Sequence, residues 1–193
     1  MGKLICLLGK KRTGKDSCGD YLISKYNFTR YAFADPIKEI LKILFDFSNE
    51  QLNDDKEKID ERWNVSPREV LQKFGTEMCR NNLDKYLPKI KETMNNETIW
   101  IKLFRFFYEK NKDKDIVITD VRFLDEIKAI KSLGGKIVKI KRNNLEYDGH
   151  SSEKDIDNYH KSLIDFKLDN NYTFEDLYSQ IDTIYNLIIL ENN

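Results

Sequence analysis

KLICLLGKKRTGKDS, residues 3–17, joins a short apolar run to a basic loop bounded by glycines, and then to a helical pattern. The run Lys3–Leu8 stops at Gly9, as a buried parallel strand does. From about Lys15 to Tyr26, Cys18, Tyr21, Leu22 and Tyr26 recur on one side of a helix. The loop Gly9-Lys10-Lys11-Arg12-Thr13-Gly14-Lys15-Asp16-Ser17 fits GxxxxGK between a strand and a helix, which is the context that the phosphate-binding loop requires. Glycines let successive amides turn toward a β-phosphate, and the helix N-terminus adds a favourable dipole. Lys15 is expected to bridge β- and γ-phosphates. The motif usually continues with Ser or Thr, whose hydroxyl binds Mg²⁺, but here the residue is Asp16. A carboxylate is a hard oxygen ligand and can take that place directly or through water, leaving Ser17 to contact the α-phosphate.

Outward from the loop, strands and helices alternate. Phe28–Phe33 (FTRYAF) reads as a second strand, followed by a helix with Asp35 as N-cap and Pro36 at the first turn, running to about Phe47. Ser48–Glu97 is polar and mostly helical in pattern, with Ser66 capping a helix that carries Glu69 at capping-box spacing. Thr98–Lys110 is an apolar helix, Ile116–Thr119 (IVIT) a strand ending at Asp120, Leu124–Leu133 a helix closed by Gly134-Gly135, and Lys136–Lys141 (KIVKIK) a strand. Phe166–Leu168 reads as a last short strand and Thr173 as the cap of a C-terminal helix. This alternation implies an α/β fold in three layers, a central parallel sheet covered by helices on both faces, with ligands at the carboxyl ends of the strands. The expected organisation is one domain over 1–193, with a helical substrate-binding insertion at 48–98 and a lid segment at 143–162.

Composition narrows the function classes. Lys plus Arg equals Asp plus Glu at 33 each, so the chain lacks the basic excess of a dedicated nucleic-acid binder. Its 3 cysteines, Cys6, Cys18 and Cys79, show no zinc spacing and read as reduced thiols. No window of 18 apolar residues exists to span a membrane.

Further clusters suggest a second anionic site. Asp35-Pro36-Ile37-Lys38 opens a helix. Arg68, Gln72 and Thr76 fall at steps of four on another helix, beside Gly75, whose cost inside a helix suggests a close backbone approach. Asp120-Val121-Arg122-Phe123 follows the IVIT strand with Glu126 one turn later, so Asp120 holds the position of a metal-side carboxylate. Lys38, Arg68 and Arg122 can clamp a monophosphate, the arginines in bidentate fashion, although single charges of this kind are as often solvated surface. Trp100 is either core or a base-stacking ring. His150 and Glu153, in His150-Ser151-Ser152-Glu153, are either exposed surface or lid residues that touch substrate. Arg12 and Arg142 can reach the transferring group.

With these segments in order (GKKRTGKDS, DPIKEIL, PREVLQKFGTE, WIKLF, TDVRFLDE and HSSE), the chain resembles the deoxynucleoside monophosphate kinases of bacteriophages and large DNA viruses. Asp after the loop lysine is a feature of that family, whereas Asn49–Arg62 is shorter than in its phage members. The resemblance implies a P-loop nucleoside-monophosphate-kinase-like fold, ATP with Mg²⁺, and a dNMP as the small-molecule acceptor. It places Gly14, Lys15, Asp16 and Ser17 around ATP, with Asp16 toward Mg²⁺, and Lys11, Arg12, Thr13 and Arg142 are expected beside them. Lys38, Arg68, Gln72, Gly75, Thr76, Trp100, Asp120, Arg122, Glu126, His150 and Glu153 are placed near the acceptor. Lys15, Arg68, Asp120 and Arg122 carry the chemistry. Family members often act as homodimers, which by analogy suggests one here; with the charge balance and hydropathy above, no nucleic-acid or membrane partner is expected, and the expected setting is cytoplasmic, the host's if the source is viral. Kinases of other small phosphates, such as phosphomevalonate or dephospho-coenzyme A, and a nucleotide-dependent switch remain as alternatives.

Overall fold

A computed structural model describes residues 2–143 and 161–191. In chain order the elements are β1 (Leu4–Leu8), α1 (Lys15–Tyr26), β2 (Thr29–Tyr31), α2 (Asp35–Phe45), α3 (Asn49–Asn53), α4 (Pro67–Gln72), a π-helical segment (Lys73–Arg80), α5 (Leu83–Tyr86), α6 (Ile90–Met94), α7 (Ile99–Lys110), β3 (Ile116–Ile118), α8 (Leu124–Ser132), β4 (Lys136–Lys141), a 3-10 turn (Lys161–Leu163), β5 (Phe166–Asp169) and a C-terminal helix (Phe174–Glu191). Two compact units result, one from Met1–Ala32 with Glu109–Asn193 and one from Phe33–Tyr108.

The first unit holds the sheet, ordered β2-β3-β1-β4-β5 with every pairing parallel. The central strand pairs Cys6 with Ile118 on one side and with Ile137 on the other. Side chains alternate between faces along each strand. Ile5 and Leu7 bury against Cys18 and Leu22 of α1 and against Leu177, Ile181, Ile184 and Ile188 of the C-terminal helix. Leu4 lies on the opposite face, where Gly135 fits against both Leu4 and Ile130 of α8. Helices therefore cover both faces, giving the three layers expected. The winding reverses at β1, so a crevice opens at the carboxyl ends of β1 and β3, the usual ligand position in such sheets.

The second unit is helical. Ser66 caps α4 by accepting from the Glu69 amide at 3.2 Å. α2 begins one residue earlier than expected: Ala34 takes the N-cap position and Asp35 is its first helical residue, with Pro36 next. The larger departure is the segment expected as one regular helix over Pro67–Glu77, which turns π-helical from Lys73, with Asn81 N–H bonding Thr76 O at 3.0 Å. Gly75 sits in that segment. A side chain there would begin 3.4 Å from Ile37 Cγ1, so the close approach that the glycine permits is to α2 of its own unit. No described helix is long and apolar enough to cross a membrane.

Candidate active site

The loop after β1 is held by its own polar groups. Three donors converge on the Lys10 carbonyl: Thr13 Oγ1 at 2.8 Å, Lys15 Nζ at 2.6 Å and the Thr13 amide at 3.3 Å. Gly9 is required by space, because a Cβ would stand 2.6 Å from Thr13 Oγ1 and 2.8 Å from Ile140 O. Gly14 is required by conformation, with φ 97° at the N-cap of α1. Arg12 adopts φ 64°, so the loop makes two left-handed turns before the helix begins. Thr13 is buried, Lys15 and Ser17 half-buried, and Lys11, Arg12 and Asp16 exposed. The first-turn amides of α1 have no partner within the helix by construction, and its dipole adds positive potential there.

Two further side chains brace the loop from outside. Asn170 Nδ2 donates to Thr13 O at 2.9 Å, and Arg142 NH1 to Arg12 O at 3.4 Å. Arg142 was expected near the loop from sequence. Asn170 was not, and its only signal is its position just past β5, at the end of the sheet where ligands gather.

At the neighbouring strand end, β3 leads through buried Thr119 to half-buried Asp120. α1 runs close by, since a Cβ on Gly19 would stand 2.7 Å from Thr119 Cγ2. The Cys6 thiol reports the local field. Burial pushes it well above the ordinary thiol range, the Asp120 and Glu126 carboxylates push it further, and Lys15 pulls it back. Lys15, Asp120 and Glu126 thus all act on Cys6 of β1 through their charge. Glu126 is only 3% exposed and accepts from the amides of Arg122 at 2.9 Å and Phe123 at 3.1 Å. That carboxylate fixes the turn that carries Arg122, whose own side chain is exposed.

The remaining described candidates belong to the helical unit and are placed within it alone. Lys38 Nζ donates to Asn53 Oδ1, and Arg68 pairs with Glu57 at 3.1 Å. Gln72 is exposed and Thr76 half-buried. Arg68 and Gln72 share α4, but Thr76 falls in the π-helical segment, where the step-of-four face does not continue. Trp100 is 7% exposed and donates its indole N–H to Gly75 O at 2.9 Å, so its position is that of a core residue. His150 and Glu153, with most of the expected lid, lie outside the described residues.

The loop fits a nucleotide phosphate: it is glycine-bounded, opens a helix and carries a lysine. Asp16 and Asp120 supply hard oxygen donors. Among the described residues no cluster of three metal-ligating side chains occurs. Such donors fit Mg²⁺, which takes one or two carboxylates and completes its shell with phosphate and water oxygens.

Comparisons with known proteins bear on the family. The sequence model of the family described as deoxynucleotide monophosphate kinase matches residues 3–59 and 45–181. A protein of Acanthamoeba polyphaga mimivirus named as a deoxynucleotide monophosphate kinase is 40% identical over 187 residues, covering 92% of this chain and 93% of that one. The deoxynucleotide monophosphate kinase of Escherichia phage RB69 is 21% identical over 258 residues, covering 94% and 99%. Among solved structures, the dephospho-CoA kinase of Campylobacter jejuni superposes with a TM-score of 0.51 at 17% identity, covering 100% of both chains, a likeness of fold alone. On the family match and the mimivirus relative, the chain belongs to the deoxynucleotide monophosphate kinase family.

Proposed function

We propose that this protein moves the γ-phosphoryl of ATP onto the phosphate of a deoxynucleoside monophosphate, giving a dNDP and ADP. The observation that carries this reading is the braced loop, with Lys15 across its Lys10 carbonyl and Asp120 close at the next strand end. The acceptor is already an anion at neutral pH, so the reaction needs no strong general base. Catalysis is then positioning and neutralisation of charge along an in-line transfer. Loop amides and Lys15 hold the donor phosphates, while Lys11, Arg12 and Thr13 shape the loop around them. Ser17 faces the α-phosphate. Asp16 and Asp120 would supply carboxylate oxygens to Mg²⁺, directly or through water, and a bound ion would supply neutralisation of charge on the donor phosphates. Arg12 and Arg142, which donates to Arg12 O, are the candidates for reaching the transferring group.

In the sheet unit Arg122 is the candidate for holding the acceptor phosphate, an arginine suited to bidentate contact; in the helical unit the acceptor-side candidates are Arg68, Lys38, Gln72 and Thr76. Glu126 and Trp100 serve by positioning, the first through the Arg122 and Phe123 amides and the second through the Gly75 carbonyl. The test is ADP release with MgATP against dTMP, dGMP, dCMP, dAMP and the matching ribonucleotides. At least one dNMP should stimulate release well above the acceptor-free rate. Release that no nucleotide stimulates overturns the proposal.

A further inference from the structure

We propose that Asn170 is a positioning residue that aims the Gly14 amide at the donor phosphates, a role that rests on the reading of the loop given above. A trans peptide points its C=O and N–H in opposite directions. The Thr13–Gly14 peptide is trans, and Asn170 Nδ2 holds its oxygen at 2.9 Å on the outside of the loop. The Gly14 N–H is thereby turned away from Asn170, to the opposite side of the peptide. The contact also explains the second loop glycine beyond its φ of 97°. A Cβ on Gly14 would meet Asn170 Nδ2 at 2.5 Å, so a side chain there and this brace exclude each other.

Asn170 is itself held in place. Its amide donates to Lys141 O at 2.7 Å, which ties it to the end of β4. The preceding residue is clamped by Gln180 of the C-terminal helix, which accepts from Asp169 N at 3.1 Å and donates to Asp169 O at 3.1 Å. A side chain on so fixed a backbone gives the loop a preset direction before nucleotide arrives. Donors set in advance stabilise developing charge without reorganisation. Asn170 thus ties the last strand of the sheet to the loop after the first.

The test compares Asn170→Ala and Asn170→Asp with wild type in three measurements: melting without nucleotide, MgADP affinity by calorimetric titration, and KM for ATP and for the acceptor. The alanine variant should bind MgADP about tenfold more weakly and lose kcat/KM for ATP by a similar factor, the scale of one hydrogen bond to a charged group's site. Its nucleotide-free melting temperature and acceptor KM should stay at wild-type values. The aspartate variant keeps the shape but cannot donate when ionised, and should lose at least as much. Unchanged MgADP affinity in both variants overturns the proposal. So does a fall in melting temperature with both KM values rising together, which marks a role in the fold alone. Wild-type protein that binds no adenine nucleotide removes the loop reading as well, and so separates the two failures.

Discussion

The two units reach their side-chain positions by different means. In the unit Met1–Ala32 with Glu109–Asn193, loops leave the ends of a parallel sheet whose core is continuous and apolar. Residues there inherit their direction from topology, and the phosphate loop adds short-range bonds to Lys10 O and two braces from beyond it, Asn170 on Thr13 O and Arg142 on Arg12 O. The unit Phe33–Tyr108 has several helices of four to six residues, which are marginal on their own. They are held by polar staples. Asp60 accepts from Arg62 N at 2.9 Å, Arg62 Nε at 3.0 Å, Arg62 NH2 at 2.8 Å and Gln51 Nε2 at 2.7 Å, while Arg62 NH1 reaches Asp46 at 2.9 Å. Arg62, first among these partners, holds the Asp60 carboxyl well below the usual carboxylate range. The difference predicts that chemistry and stability separate cleanly in the first unit and fall together in the second.

The strongest test is Lys15→Ala. The ammonium donates to the Lys10 carbonyl within the loop, while its proposed work is on the transferring phosphoryl. Turnover should fall by on the order of 10²-fold or more, as for one lost transition-state contact. The melting temperature should stay within a degree or two. Near-normal ADP release in a coupled assay would end the assignment of Lys15.

Asp60→Ala is the counterpart in the helical unit. It removes the acceptor for four hydrogen bonds at once. A drop in melting temperature of about 5–10 °C is expected from the size scaling of small domains. Acceptor KM should rise with it, although Asp60 belongs to no proposed contact with substrate. Intact melting in a thermal scan would show that this staple is dispensable and would weaken the comparison.

Trp100→Phe is a finer probe of the same unit. Phenylalanine keeps most of the ring but deletes the indole N–H, leaving Gly75 O without that donor in a buried place. The cost should be about 1–3 kcal/mol, the desolvation cost of one unmatched buried group. Acceptor KM should rise while KM for ATP holds. A parallel rise in both would move Trp100 from local support of Gly75 to general support of the fold.

The same contrast explains what was legible in the sequence. β1, β3 and β4 announce themselves as apolar runs, and the phosphate loop as glycines and a lysine at fixed spacing between strand and helix. Ser66 and Thr173 were legible as caps because capping is local; Thr173 Oγ1 accepts from Asp176 N at 3.2 Å, and Asp176 Oδ2 accepts from Thr173 N at 3.2 Å. Asn170 was not legible, because its partner Thr13 lies 157 positions away and no local pattern carries that pairing. The π-helical turn at Lys73–Arg80 was missed because α4 starts as an ordinary capped helix, and the departure coincides with Gly75, set against Ile37 and bonded by Trp100. Glu126 was recognised as notable, but spacing alone could not say that its carboxylate turns back onto the amides of Arg122 and Phe123.

The smallest expected effect lies at the far end of α1. Asp182 of the C-terminal helix accepts from Tyr21 at 3.0 Å, Tyr26 at 2.7 Å and Lys25 at 2.7 Å, beside the stacked pairs Tyr21–Tyr178 and Tyr26–Tyr185. Burial pulls the Asp182 carboxyl upward, but the bonds from Lys25, Tyr26 and Tyr21 outweigh it and leave it below the ordinary value. A carboxyl lowered by folding adds stability that is present above its unfolded value of about 4 and is lost as pH falls through the folded value. Asp182→Asn should therefore melt about 2 °C below wild type at pH 7, a small loss because the pair is partly exposed. The gap should close as pH drops below about 4. Lys15 sits at the opposite end of this 12-residue helix, roughly 16 Å from Tyr26 along its axis. Turnover at pH 7 should thus match wild type. A fall in turnover alongside the melting loss would mean that the tyrosine clasp also aims the phosphate loop, and that topology alone does not set direction in the sheet unit.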